Sequence, residues 1–178
     1  MKKLLLMLAA SLVLVFAVSY VALADSTLKV YYDLSGTVSA GGVSNSNDPG
    51  FSLNYEYTFN SDKYAWGIGV EWNFDRTAVG AGSGVTWIPI YVLGQVKLSD
   101  AAYLTGKIGL DAFIPDLSDP EVTNNPGLYL AAGFGYNISK NFVVEVDYSF
   151  LNGSMSDDFG DSASISYSKL SIGAGFKF

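Results

Sequence analysis

The chain has 178 residues, a formal net charge of −7, 15% charged residues and 15% aromatic residues. It contains no cysteine and no histidine, which excludes disulfides, thiolate metal sites and catalysis by an imidazole base. The acidic balance gives the protein no electrostatic reason to bind nucleic acid.

The first 24 residues have the pattern of an export signal. Two lysines precede a long apolar stretch, which ends in the small residues Ala22 and Ala24. The pattern predicts a signal peptide over 1–24, cleaved after Ala24, and a single domain over 25–178. The alternative is an uncleaved anchor helix, because the apolar stretch is almost long enough to span a bilayer. Beyond it no run of 18 apolar residues occurs, so we expect no transmembrane helix in the mature chain.

Apolar residues alternate with polar or small residues through most of the mature chain, a period typical of β-strands. The first strand has Leu28, Val30, Tyr32, Leu34, Gly36 and Val38 on its apolar face. The fourth contains Pro89, which leaves a bulge open at that position. The alternation predicts eight strands, near 28–39, 51–59, 64–74, 85–98, 104–114, 130–138, 142–150 and 170–178.

The connections between these strands alternate in length. Four are long (41–50, 75–84, 116–127 and 152–163), and three are short (61–63, 99–102 and 139–141). Strict alternation places all the long loops at one end of the sheet and all the tight turns at the other. The predicted topology is therefore an up-and-down antiparallel sheet.

The position of the large side chains separates a membrane barrel from a soluble lipocalin-like barrel, which would bury its apolar face. The bulky rings on the apolar face are too many to fit inside eight strands. They form two groups, one near the short turns (Phe59, Tyr64, Phe142, Phe176 and Phe178) and one near the long loops (Phe51, Trp72, Phe74, Tyr148 and Phe150). Two aromatic girdles around strands of about 10 residues predict an all-β, eight-stranded up-and-down antiparallel transmembrane β-barrel.

The C-terminal segment SIGAGFKF, residues 171–178, makes the chain resemble the small outer-membrane β-barrel family of the OmpX and OmpA-transmembrane kind. IPIYVLGQVKL also looks like the central strand region of that family. The resemblance implies that Ser171, Gly173, Phe176 and Phe178 form an assembly signal. The barrel-insertion machinery would read this signal, and outer-membrane lipid would surround the barrel.

The polar face of the predicted barrel carries eleven charged residues. The acids are Asp33, Glu56, Glu71, Asp111, Glu145 and Asp147, and the bases are Lys29, Lys97, Lys107, Lys169 and Lys177. Their near balance predicts mutual pairing in a plugged lumen, since unpaired charges there would be costly. An eight-stranded barrel has room for side chains or one small ligand.

Two further groups of residues, the inward aromatic residues and the acidic residues of two long loops, can each be interpreted either as a ligand-binding site or as ordinary structure. Inward aromatic residues offer a pocket for a small apolar molecule or ordinary filling of the barrel; they are Tyr31, Trp87, Tyr91, Phe113 and Tyr129, with Leu93 beside them. Carboxylates of the third and fourth long loops offer weak divalent-cation ligands or a solvated acidic rim; they are Asp116, Asp119, Glu121, Asp157, Asp158 and Asp161. No other metal site and no cofactor is expected.

The sequence thus predicts an integral protein of the bacterial outer membrane, in a Gram-negative-type envelope. Its expected role is structural, or interaction with an unidentified extracellular ligand through four long loops on a rigid scaffold. The alternative is a narrow porin or a conduit for small apolar solutes. We expect no enzyme activity. The resemblance implies that a barrel enzyme of the outer membrane would use a histidine base, and this chain has no histidine.

Overall fold

The computed structural model describes residues 24–40, 42–77, 84–115, 123–156 and 162–178. All regular structure in these segments is β. The strands are β1 (Ala24–Ala40), β2 (Val43–Asn47), β3 (Gly50–Asn60), β4 (Tyr64–Thr77), β5 (Gly84–Lys97), β6 (Ala102–Pro115), β7 (Thr123–Asn125), β8 (Gly127–Asn137), β9 (Phe142–Ser156) and β10 (Ser162–Lys177). In the described segments no helix is long and apolar enough to span a membrane. Residues 1–23, which hold nearly all of the predicted signal peptide, lie outside them.

Eight strands close into an antiparallel barrel, which confirms the predicted architecture. Their order is β1, β3, β4, β5, β6, β8, β9 and β10, and β10 pairs back onto β1. The closing ladder begins at Thr27 and Lys177. Beyond it, the Phe178 N–H donates to the Ser26 carbonyl oxygen at 2.9 Å. Closure leaves no sheet edge in the wall, as a membrane requires.

The two short strands extend the wall at the long-loop end. β2 pairs with β1 in line with β3, and β7 pairs with β9 in line with β8. β9 continues to Ser156 and β10 begins at Ser162, so most of the loop predicted over 152–163 is a hairpin. These extensions could not be predicted from the sequence. The serine- and glycine-rich segments beyond the membrane lack the alternation of apolar and polar residues by which a strand is recognised.

The lipid-facing and lumen-facing sides follow the predicted alternation through the apolar part of the wall. Large aromatic residues of the outer side are exposed, among them Trp66, Trp72 and Tyr148. At the short-turn end the Phe59 and Trp66 rings stack with centroids 4.5 Å apart. At the other end the Tyr32 and Phe51 rings lie 5.3 Å apart. Each end of the wall therefore has at least one ring pair that joins neighbouring strands.

The predicted faces are wrong at the end of β1, where a β-bulge lies between Asp33 and Ser35. Gly36, expected outside, pairs with lumen-facing Lys169, and a Cβ on Gly36 would lie 2.5 Å from Cε2 of Tyr167. Val38 packs against the buried cluster of the lumen. One extra residue shifts a strand by one position, so both side chains move from the lipid face to the lumen face.

Pro89 is not a bulge. It pairs with Asp111 in an uninterrupted ladder between β5 and β6, and its side chain is buried. The irregularity lies on the other neighbour of β5, between Asn73 and Arg76 of β4. The register through the apolar half of β5 is consequently regular, and it points Trp87, Tyr91 and Leu93 into the lumen.

Candidate functional site: the barrel lumen

A turn-side network of buried charges fills the half of the lumen nearer the short turns. Lys107 of β6 is its centre, with Nζ 2.5 Å from Asp147, 3.1 Å from Glu145 and 3.3 Å from Glu56. Lys29 of β1 lies 2.7 Å from Glu56 and 2.9 Å from Glu145. Two ammonium groups therefore share three carboxylates, and these five residues link four strands.

Tyrosine hydroxyls complete the turn-side network. Tyr31 and Tyr103 donate to Glu145 at 2.6 and 2.8 Å, and Tyr91 donates to Glu56 at 2.9 Å. These bonds satisfy carboxylate oxygens that are shielded from water, which a buried charge requires. The three rings are themselves buried, and their bonds link β1 and β6 to β9 and link β5 to β3.

A second, loop-side network surrounds Lys169 of β10. Its Nζ lies 2.6 Å from Glu71 and 3.1 Å from Asp33, and it also donates to Asn73. Ser52 and Ser171 donate to Asp33 at 2.7 and 2.5 Å. This network connects β10, β1, β3 and β4, and it uses one ammonium group for two carboxylates.

The structure differs from the predicted charge balance at two lysines. Lys97 is exposed beside the first short turn, where its Nζ donates to the Ser61 carbonyl oxygen at 2.7 Å. Lys177 lies at the turn-side rim, where its Nζ donates to Asn137 at 2.5 Å. Both follow the lumen-facing parity, but both stand at strand ends, where the barrel opens to water. The buried set therefore has fewer bases than the sequence suggested.

A buried cluster of large side chains adjoins the two networks. It contains Trp87, Tyr91, Leu93, Tyr129, Leu151, Ile165 and Tyr167. Of the residues proposed for an apolar pocket, Trp87, Tyr91 and Tyr129 meet here, and the rings of Tyr91 and Tyr129 lie 5.1 Å apart. Tyr31 belongs instead to the turn-side network. The Phe113 side chain lies outside the part that the structure describes.

Sequence reasoning missed several lumen residues, among them Tyr103, Leu151, Ile165 and Tyr167. A signal for them was available, because each continues the parity of an inward charge on its own strand. Tyr103 has the parity of Lys107, Leu151 that of Asp147, and Tyr167 that of Lys169. These residues were missed because large apolar residues were assigned to the lipid face, and those near the strand ends, where the alternation of polar and apolar residues breaks down, were not assigned to either face.

Glycines opposite the inward tyrosines make room for their rings. Tyr31 pairs with Gly173 and Tyr103 pairs with Gly135 on neighbouring strands. A Cβ would lie 2.4 Å from Cδ1 of Tyr31 at Gly173, and 2.0 Å from Cζ of Tyr103 at Gly135. Each ring thus lies flat against the backbone of its neighbour, which lets it reach Glu145 within a narrow lumen.

The residues proposed as an assembly signal lie on both faces of β10. Ser171 and Gly173 face the lumen, whereas Phe176 and Phe178 are exposed on the outside. The Phe176 ring contacts Phe142 edge to face, with centroids 5.2 Å apart. The six acidic loop candidates, Asp116, Asp119, Glu121, Asp157, Asp158 and Asp161, lie outside the described residues.

The sequence of residues 8–178 matches the family described as outer membrane protein beta-barrel domain. The chain belongs to this family. It is therefore an integral β-barrel protein of the bacterial outer membrane, in which the exposed aromatic girdles contact lipid. No curated protein sequence matches the chain.

Solved outer-membrane barrels share the fold of this family member. Ail, the attachment invasion locus protein of Yersinia pestis, is 18% identical with a TM-score of 0.55, covering 87% of this chain and 99% of Ail. Neisserial surface protein A is 14% identical with a TM-score of 0.57, covering 87% and 97%. The outer membrane protein AlkL is 15% identical with a TM-score of 0.55, covering 87% and 90%. At these identities the similarity concerns the fold alone.

Proposed function

We propose that this protein is a closed outer-membrane scaffold that presents its extracellular hairpins to a partner outside the cell. The observation that carries the proposal is the ion-pair network around Lys107, which joins β6 to β3 and β9 within the lumen. The cluster around Trp87 and Tyr167, whose rings stack with centroids 6.1 Å apart, supports closure nearer the long loops. An eight-stranded wall filled in this way leaves no water column.

The polar extensions of the strands support a role outside the membrane. The β9–β10 hairpin continues for several residues beyond the girdle residue Phe150, and β1 and β2 form a second hairpin beside it. Both hairpins are rich in serine and asparagine. Recognition commonly lies on such segments when a rigid barrel holds them in place. We infer that these hairpins, rather than the lumen, carry specificity.

The charge of this end of the barrel restricts the chemistry of the partner. Residues 116–122 and 157–161 contain six carboxylates and no lysine or arginine. A structure of Ail holds the heparin analogue sucrose octasulfate. An acidic rim repels sulfated polyanions, so we propose that the partner here is neutral or basic.

Single-channel recording tests the proposal. Mature protein, residues 25–178, is refolded into lipid, shown to be folded by its heat-dependent gel mobility, and inserted into a planar bilayer. We expect no reproducible conductance steps. A comparison variant, Trp87→Ala/Tyr167→Ala, removes two stacked lumen rings and serves to show that the assay detects a widened lumen. Reproducible steps from the unchanged protein would contradict closure and favour a narrow porin or conduit.

A further inference from the structure

The outer side of the barrel wall carries a group of hydroxyl side chains at its loop-side end. They lie on four neighbouring strands, in the order β2, β1, β10 and β9. The members of this hydroxyl face, all exposed or half-buried, are Thr37, Ser39, Ser44, Ser46, Ser154, Ser164, Ser166 and Ser168. Residues of the opposite parity on the same strands, Val38, Asn47, Leu151 and Tyr167, are buried or pack against the buried cluster. The hydroxyl residues therefore point outward.

The strand registers arrange these residues in rows across the sheet. The rows, in order away from the membrane, are Ser46 with Thr37 and Ser168, then Ser44 with Ser39 and Ser166, then Ser164 with Ser154. Neighbouring members are about 4.8 Å apart across the sheet and about 7 Å apart along a strand. In the second row, Oγ of Ser39 and Oγ of Ser44 are hydrogen-bonded at 2.7 Å. The hydroxyl face is thus a regular grid, on which one bound molecule meets hydroxyls of more than one strand.

The hydroxyl face begins at the level of the loop-side aromatic girdle. Ser168 pairs directly with Phe150 of β9, and Leu170, the next outward residue toward the membrane, pairs with Tyr148. Phe150 and Tyr148 are exposed rings of that girdle. Girdle rings mark the boundary between the acyl chains and the polar layer of a membrane. The first row therefore lies at this boundary, and the other rows lie in the polar layer beyond it.

The chemistry of the hydroxyl face suits a saccharide rather than a charged group. Segments 37–39, 44–46, 152–154 and 164–168 contain no charged residue, whereas phosphate is bound preferentially by arginine or lysine. A serine or threonine hydroxyl both donates and accepts hydrogen bonds, as a sugar hydroxyl does. In a Gram-negative-type outer membrane, the polar layer of the outer leaflet consists of the saccharide headgroups of glycolipid. The neighbour at this height therefore carries matching groups.

The opposite side of the barrel differs from the hydroxyl face. Outward residues near the loop-side ends of β4, β5 and β6 are apolar, among them Phe74, Ile88 and Ala112. Thr86 of β5 also points outward, but its ladder partner on β6 is Ile114, so it belongs to no row of hydroxyls. Contact with water at the loop-side end gives no reason for this difference between the two sides, whereas a headgroup docked on one side does.

We propose that the hydroxyl face docks the saccharide headgroup of outer-leaflet glycolipid against β2, β1, β10 and β9. The face is continuous with the lipid-facing surface, so the acyl chains of the docked molecule lie beside exposed Leu34, Tyr148 and Leu170. Hydrogen bonds from several strands hold the headgroup, and ion pairs with phosphate are not needed. The contact uses the sides of the hairpins next to the membrane, and it does not depend on the extracellular partner proposed above.

Native mass spectrometry of folded mature protein in detergent tests the proposal. The probe is deep-rough lipopolysaccharide, which consists of lipid A and inner-core sugars, and phosphatidylglycerol is the anionic lipid for comparison. We expect saturable binding of lipopolysaccharide that is much tighter than that of phosphatidylglycerol and that persists after the lipid A phosphates are removed. Thr37→Val/Ser166→Ala/Ser168→Ala should weaken this binding about tenfold, because three hydrogen bonds are lost. Thr86→Val, the matched control outside the hydroxyl face, should bind like the unchanged protein.

Three results would overturn the proposal. Equal binding of phosphatidylglycerol would indicate ordinary lipid contact, loss of binding on removal of the phosphates would indicate recognition of charge, and full binding by the triple variant would place the contact elsewhere. Solid-state NMR of the unchanged protein in bilayers that contain lipopolysaccharide needs no variant. We expect through-space contacts between sugar protons and serine or threonine side chains, and contacts of these side chains with water alone would likewise overturn the proposal.

Discussion

The ammonium nitrogen of Lys107 on β6 lies 3.3 Å from a carboxylate oxygen of Glu56 on β3. Three steps around the wall separate these strands, through β4 and β5. The contact therefore crosses the lumen rather than joining neighbours within the sheet. It fixes the distance between two parts of the wall that the backbone ladders connect only indirectly, and it occurs where both side chains are shielded from water.

Replacement of Lys107 by methionine should destabilise the barrel strongly. The change leaves Glu56, Glu145 and Asp147 with Lys29 as their one remaining cation in the turn-side network. Removal of one partner from a buried ion pair costs about 3–5 kcal/mol. We expect a fall of this size in the free energy of unfolding, measured by urea titration in lipid vesicles.

Lys97→Met is the matched control for that measurement. Lys97 is exposed at a turn and contacts a carbonyl oxygen, so its loss should change the free energy of unfolding by less than about 1 kcal/mol. Equal effects of the two substitutions would contradict a structural role for the buried network.

The three tryptophans should report opposite surroundings. Trp66 and Trp72 are 62% and 50% exposed on the lipid face, whereas Trp87 is 0% exposed in the lumen. Variants that keep one tryptophan, with phenylalanine at the other two positions, are placed in vesicles of acyl-chain-brominated lipid. We expect strong quenching of Trp66 and Trp72 fluorescence and little quenching of Trp87, because bromine quenches only on contact. Quenching of Trp87 to the same degree would contradict its assignment to the lumen.

Gly135→Val should displace the ring of Tyr103 and weaken the barrel. A Cβ at this position would lie 2.0 Å from the ring, and Tyr103 would lose its 2.8 Å bond to Glu145. Overpacking of this kind costs about 1–3 kcal/mol. The control is Gly94→Val on the lipid face, where no atom lies within 4 Å of the added Cβ. Unfolding in urea should separate the two variants, and a larger loss for Gly94→Val would refute the packing argument.

Phe178→Ala should impair assembly in cells more than it impairs stability. Phe178 is exposed and its ring contacts Phe176 with centroids 6.3 Å apart. If the insertion machinery reads this ring, the variant reaches the outer membrane in reduced amount, yet it refolds into detergent in vitro like the unchanged protein. Phe134→Ala, another exposed lipid-facing ring, controls for lost lipid contact. The same assembly defect in both variants would argue against a C-terminal signal.

Part of the lumen could be predicted from the sequence, because some charged residues occupy the positions of a strand that alternate with its lipid-facing residues. Asp33, Glu145 and Asp147 alternate with large apolar residues, so each can face only the lumen once the outside is lipid. The partners of these acids could not be predicted. Glu145 contacts Lys29, which is 116 residues away along the chain. The pattern within one strand does not show how far neighbouring strands are shifted relative to one another around the barrel.

The sequence by itself determined the eight membrane-spanning strands, their antiparallel order and the face that meets lipid, because alternation within each spanning strand is a local property that the membrane enforces. Only the tertiary structure decided where Gly36 and Val38 point, since a bulge is visible only against the partner strand. It also decided which lysines neutralise the lumen. Lys97 and Lys107 share the same parity, but burial depends on height along the barrel axis, and that height is set by the closed ladder of all eight strands.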